Sequence, residues 1–101
     1  MQYIVSGYDG IDEKAIDRRL AVRDEHLKSV ERRFKIGEHL YGAAILDDTG
    51  KMIGSMMVVN YSSREELDKW LKDEPYVVGG VWQKIEIKPC KVAPIFMDLY
   101  N

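Results

Sequence analysis

The sequence has a single cysteine, Cys90, in 101 residues, so no disulfide can form within the chain, and the oxidising compartments where small domains depend on such bonds are not indicated. A reducing, cytoplasmic setting is the expectation. Charge of one sign is also lacking: 15 Lys and Arg stand against 17 Asp and Glu, a formal net charge of -2. That balance gives no global positive field to draw in nucleic acid or an anionic membrane. Long apolar runs are missing too. No stretch reaches the roughly 18 apolar residues a membrane span needs, and the opening MQYIVSGYDG has no basic segment leading into an apolar one. Neither a nucleic-acid nor a membrane partner is expected. Chemistry motifs are equally sparse. There is no glycine-rich phosphate loop, no nucleophile elbow, and no His or Cys pair at a zinc-like separation, so no metal site and no organic cofactor is indicated.

What is present is an ordinary globular composition, 46% hydrophobic and 32% charged, at a length that one core can support without disulfide or metal. We expect a single domain over 1–101, with a core over 1–89 and a C-terminal arm over 90–101. Residues 2–8 alternate, Tyr3 and Val5 on one face and Ile4 on the other, which reads as a strand. From about Asp12 to Ile36, apolar residues at Ile16, Leu20, Leu27, Val30 and Phe34 keep the spacing of an amphipathic helix, and Gly37 supplies its stop. HLYGAAILDD and MIGSMMVVN flank the turn cluster DDTGK and read as a hairpin. Ser62 and Ser63, followed by Glu65 and Glu66, start a second helix that ends near Asp73, before Pro75. After a loop, DEPYVVGGV, comes a last main strand closed by Pro89, with Val81, Ile85 and Ile87 in phase. The tail VAPIFMDLY, interrupted by Pro94, reads as an extended arm packing on a partner subunit.

The order strand, helix, strand, strand, helix, strand defines the fold class: α+β, a ferredoxin-like βαββαβ sandwich with an antiparallel sheet and two helices on one face. The other face needs a cover, and both alternating sets of several strands are apolar, Met56 and Val58 against Met57 and Val59. A homodimer through the sheet faces is therefore expected.

On a helical wheel, Arg23 and His26 fall within or beside the apolar stripe of the first helix, so two ionisable residues point toward the sheet. A half-buried Arg needs an acidic or carbonyl partner, and His is the side chain suited to proton transfer near neutral pH. The remaining basic residues, Arg18, Arg19, Lys28, Arg32 and Arg33, are interleaved with Asp17, Asp24, Glu25 and Glu31 and read mostly as a solvated helix face. His39 is taken as structural or exposed. Gly42 and Gly54, in or beside strands, read as bulge or packing positions rather than ligand contacts, and Trp70, Trp82 and the Met56-Met57 pair as core and interface material.

Taken together, RRLAVRDEHLKSV, the glycine after that helix, the IGS of the third strand, Trp70, DEPYVVGGV and IEIKP resemble the YciI-like (YCII-related) family over Met1 to Pro89. The resemblance implies a ferredoxin-like fold, dimerisation in the manner of the dimeric α/β barrels, and a cleft with a His and an Asp as an active centre. The family's helix His falls on His26, its Arg on Arg23 and its serine on Ser55. Its Asp before the proline is replaced here by Glu74, with Asp73 one residue earlier, so either acid is a candidate partner of His26. The reading that follows is a small-molecule enzyme in which His26, oriented by Glu74 or Asp73, performs general acid/base chemistry of the lyase or elimination type. Arg23, Ser55 and Tyr76 would bind a small aromatic or oxygenated substrate. Two alternatives stand beside it: a non-catalytic small-molecule-binding or regulatory dimer, and a cofactor-free monooxygenase or isomerase.

Overall fold

A computed structural model describes residues 1–100. Four strands, β1 (Gln2–Asp9), β2 (His39–Leu46), β3 (Met52–Asn60) and β4 (Trp82–Cys90), form one sheet in the order β2-β3-β1-β4, every neighbouring pair antiparallel. The helices α1 (Ala15–Lys35), α2 (Arg64–Asp73) and a short α3 (Pro75–Val78) complete the ferredoxin-like α+β arrangement, and α4 (Pro94–Met97) with a 3-10 turn over Asp98–Tyr100 ends the chain. Among the described residues no helix is long and apolar enough to cross a membrane.

Local chemistry sets the boundaries. Gly37 takes a φ of +81°, open to glycine without strain, and lets the chain leave α1 for β2. The side chain of Ser63 accepts the Glu66 N–H at 3.2 Å and caps α2. Pro75 disfavours the helical region for the residue before it, so Glu74 is extended (φ -62°, ψ 124°), α2 stops at Asp73, and α3 starts with Pro in its first turn. The segment expected as a loop, DEPYVVGGV, therefore contains a helical turn. The tail also departs from expectation. It is helical rather than extended, and it folds back on its own chain: the Gln2 side-chain carbonyl accepts the Val92 N–H at 2.6 Å, and the Tyr100 hydroxyl donates to the Leu40 carbonyl.

The core lies between the sheet and the helices, around Tyr3, Val5, Met57, Val59, Leu67, Tyr76 and Val81. Its α1 contribution differs from the wheel reading. Leu20, Leu27 and Phe34 are exposed, at 54%, 44% and 53%, whereas Ala15, Arg19, His26 and Arg33 are buried. The helix is turned by about one residue, roughly 100°, from the orientation its apolar stripe alone would choose. The reason is ionic: three of the four buried residues carry or can carry charge, and each has a partner waiting on the sheet or at the end of α2.

Candidate functional site

The first of these partners lies at the end of β1. Arg19 Nη1 reaches both carboxylate oxygens of Asp9, at 2.9 and 3.1 Å, while Nη2 donates to the Gly54 carbonyl at 3.0 Å and to the Ser55 hydroxyl at 2.6 Å. Strand register brings these acceptors together, since Gly7 stands opposite Ser55 and Tyr8 opposite Gly54. Burial pushes the Asp9 carboxyl above its usual value, against the opposing pull of the Arg19 guanidinium. Arg19 was expected on the solvated face and is in fact 2% exposed. An acid at the inner end of a strand and a hydroxyl on the neighbouring strand are the signals that could have found it.

Two turns further along α1, His26 Nδ1 is hydrogen-bonded to Glu74 Oε1. Glu74 is 1% exposed and shared among four donors: Oε1 also lies 3.4 Å from the Tyr76 N–H, and Oε2 accepts from Arg33 Nη2 at 3.3 Å and from Trp70 Nε1 at 3.2 Å. A carboxylate so surrounded is a fixed anion rather than a mobile one. Its place follows from Pro75, which turns residue 74 out of the helix and toward the core. Asp73, still helical, is exposed and takes no part in the cluster, so of the two acids considered it is Glu74 that meets His26.

The aromatic rings fix the imidazole further. Tyr76 stacks on His26 with centroids 4.0 Å apart and planes 15° apart, and its ring also carries the Arg19 guanidinium at 4.6 Å. Trp82 packs edge-on to both His26 and Tyr76, and its indole lies over Gly7, where a Cβ would stand 2.3 Å from the ring. Only glycine fits beneath it. Arg33, the second arginine that had been placed on the solvated face, is buried over the Trp70 ring at 4.6 Å, and its Nη1 lies 3.1 Å from His39 Nδ1. His39 is itself buried. Desolvation, the Arg33 cation and the nearby His26 push its imidazole down to about 4, against the opposing pull of Glu74.

Beside this cluster is a cavity of about 150 Å³ between α1 and the β2–β3 hairpin, with His26, Arg23, Ser55, Tyr76, His39 and Gly42 among its lining residues. It exists because β2 carries small residues where it runs past the helix: Gly42 and Ala44 pair with Met57 and Ser55 on the helix-facing side. Gly42 is thus a cavity position as well as a packing one. Gly54 is a packing position, since a Cβ there would stand 2.7 Å from the Gly7 carbonyl oxygen. Five of the six candidate site residues are therefore gathered in one place, His26, Arg23, Ser55 and Tyr76 around the cavity and Glu74 behind His26. The sixth, Asp73, is not. Among the described residues no group of three His, Cys, Asp or Glu side chains is placed to hold a metal ion.

Fold and site define a class: a ferredoxin-like domain with a buried imidazole–carboxylate pair at the edge of a small cavity. The chain belongs to the YCII-related domain family, whose model matches residues 1–91. It is 29% identical over 97 residues to Protein YciI of Escherichia coli O6:H1, covering 90% of this chain and 97% of that one. It is 26% identical, over the same coverage, to an uncharacterised protein of Haemophilus influenzae. Among solved structures it is similar to a 5-chloro-2-hydroxyhydroquinone dehydrochlorinase of Burkholderia phenoliruptrix in complex with 2,5-dihydroxybenzoquinone, with a TM-score of 0.78 at 17% identity over 92% of this chain and 96% of the other. An antibiotic biosynthesis monooxygenase gives 0.54 at 18% identity, over 93% and 100%. At these identities the structural likenesses establish the fold alone, a ferredoxin-like α+β arrangement.

Proposed function

We propose that this protein is a small-molecule enzyme in which His26 is the general base and acid and Glu74 orients it. One observation carries the reading: Glu74 takes the Nδ1 side of the ring, the hydrogen bond His26 makes among the described residues is at that nitrogen, and the ring borders the cavity. With the Nδ1 proton held by a carboxylate, Nε2 is the nitrogen that accepts a proton, and the fixed anion stabilises the imidazolium that forms. Arg23 would attract an anionic or carbonyl oxygen and Ser55 and Tyr76 would position it. The chemistry that suits this set is proton abstraction from a small oxygenated ring followed by expulsion of a leaving group, the proton going to Nε2 and the leaving group departing with its electron pair. The dehydrochlorinase among the structural neighbours, which binds a dihydroxyquinone, supports that class.

The test is chloride release from chlorinated hydroxyquinols. His26→Ala is expected to lower turnover by about 10²–10⁴-fold, with the fold retained by circular dichroism. Undiminished turnover in that variant would sink the proposal.

We also propose that the protein dimerises through the open sheet face. Ile4 and Val58 face each other there, as do Tyr41 and Val58, and Ile4, Tyr8 and Tyr41 are exposed in the protomer. The arm residues Phe96, Leu99 and Tyr100 already lie along one end of that face, against Tyr41 and Val58. Light scattering should give twice the chain mass at micromolar concentration, and Tyr41→Asp with Ile4→Asp should give the mass of one chain. A wild-type mass of one chain would overturn this.

A further inference from the structure

The geometry points to His39 as a second working imidazole of the same cavity: a neutral hydrogen-bond donor, through Nε2–H, to a carbonyl or enolate oxygen of the molecule on which His26 acts. This rests on the reading of His26 as the base. His39 opens β2 opposite Val59, on the helix-facing side of the sheet, and lines the cavity together with His26. Its protonation follows from its neighbour. A guanidinium can only donate, so Nδ1, 3.1 Å from Arg33 Nη1, accepts, and the proton of the neutral ring sits on Nε2. The adjacent cation and burial keep the ring neutral at physiological pH.

That Nε2–H is buried and has no partner among the described residues, as is true of Arg18 Nε, Arg19 Nε, the Tyr61 hydroxyl and Trp82 Nε1; of these five, those of His39 and Arg19 belong to residues lining the cavity, and His39 alone offers an imidazole donor. The residue in front of it is Gly42. A Cβ at position 42 would stand 3.2 Å from His39 Nε2, so a side chain there would crowd the donor from the side of the cavity, which Gly42 also lines. The two histidines therefore present complementary nitrogens to one small space, an acceptor at His26 and a donor at His39. Arg33 couples them from behind by holding both His39 and Glu74. A ligand satisfying both carries an acidic proton next to a carbonyl or ring oxygen. Proton removal by His26 would shift negative charge onto that oxygen, where a preorganised donor is most effective.

The experiment uses 2,5-dihydroxybenzoquinone as the probe and 15N-labelled full-length protein. In the free protein at pH 7, long-range imidazole spectra should show His39 as the neutral Nε2–H form, and saturating quinone should shift its Nε2 signal. His39→Leu should weaken binding by roughly tenfold or more. His39→Gln, which keeps an N–H at a similar reach, should recover most of the affinity, and this variant also guards against a folding defect in the first. A charged His39, a proton on Nδ1, or equal affinity in wild type and His39→Leu overturns the proposal while leaving the role of His26 standing. No quinone binding by the wild type at millimolar concentration overturns the ligand class assigned to His39. Loss of turnover in His26→Ala with quinone binding retained identifies the base independently of the donor.

Discussion

Arg19 and His26 lie on one face of one helix, about two turns apart, and each meets a buried carboxylate, yet the two arrangements differ in what they leave over. Around Arg19 the anion is met by two short contacts, Nη2 is divided between a carbonyl and a hydroxyl, Tyr76 closes the guanidinium from above, and what is left over is Nε, a buried N–H that can only donate. Around His26 the anion is equally well served, by His26, Arg33, Trp70 and the Tyr76 N–H, but two cavity-lining imidazoles keep a nitrogen to spare among the described residues: His39 Nε2 is buried without a partner, and His26 is bonded through Nδ1 alone. The first cluster joins α1 to the sheet. The second does that and also leaves imidazole nitrogens beside the cavity. Buried ionic groups are poor evidence of stability in themselves; what separates a structural cluster from a candidate site here is the kind of valence left over, a guanidinium N–H in the first and imidazole nitrogens able to accept or donate a proton in the second.

The comparison is tested most severely by removing one carboxylate at a time. Asp9→Leu leaves the Arg19 cation buried, and Glu74→Leu leaves Arg33 buried, so each should cost about 3–5 kcal/mol in urea unfolding. The pairing of losses is what discriminates. Arg19→Leu combined with Asp9→Leu should recover much of the loss and retain turnover, reduced as far as Ser55 and Tyr76 lose the Arg19 contact, whereas Arg33→Leu with Glu74→Leu should recover stability and leave the protein inactive. Equal activity in the two double variants would erase the distinction.

Acid offers a gentler probe, because the two clusters respond to it with opposite signs. His39 sits near 4 in the fold and about 6.5 unfolded, so the unfolded chain binds the extra proton first. Stability is therefore full above pH 6.5 and falls as the pH drops toward 4, by on the order of 3 kcal/mol. Asp9, held above its usual value by burial, loses no stability through its own titration over that window. His39→Leu should flatten the stability profile between pH 6.5 and 4, and an unchanged slope would contradict the burial of a neutral imidazole.

How much of this could be read in advance depended on whether local pattern or tertiary pairing decided the outcome. Strand alternation, the DDTGK turn, Gly37 and the Ser63 cap act within a few residues, and β1, the hairpin and α2 lie where those signals place them. His26 was legible for a different reason, through its position among a set of motifs. The orientation of α1 was not. Its apolar residues favour a stripe through Leu20, Leu27 and Phe34, and only Asp9, Ser55 and Glu74, between 10 and 48 residues away in sequence from their partners, turn the helix so that Arg19, His26 and Arg33 go inside. An interleaved run of charges looks solvated unless its distant partners are known. The same blindness hid His39, whose role depends on Arg33 and on the missing side chain of Gly42.

The smallest expected effect bears on the choice between adjacent acids. Both Asp73 and Glu74 precede Pro75, and sequence distance alone would let either orient His26. The proline separates them, because residue 73 completes the helix with its side chain in solvent while residue 74 is forced extended and turned inward. Asp73→Asn should therefore change stability by less than about 0.5 kcal/mol and leave the His26 Nδ1–H proton resonance and turnover where they are. Glu74→Gln replaces the anion by an amide whose own donors face Arg33 and His26, and should remove both that resonance and most of the turnover. If the two variants behaved alike, the proline would not be dividing the acids and the orienting carboxylate would have to be sought elsewhere.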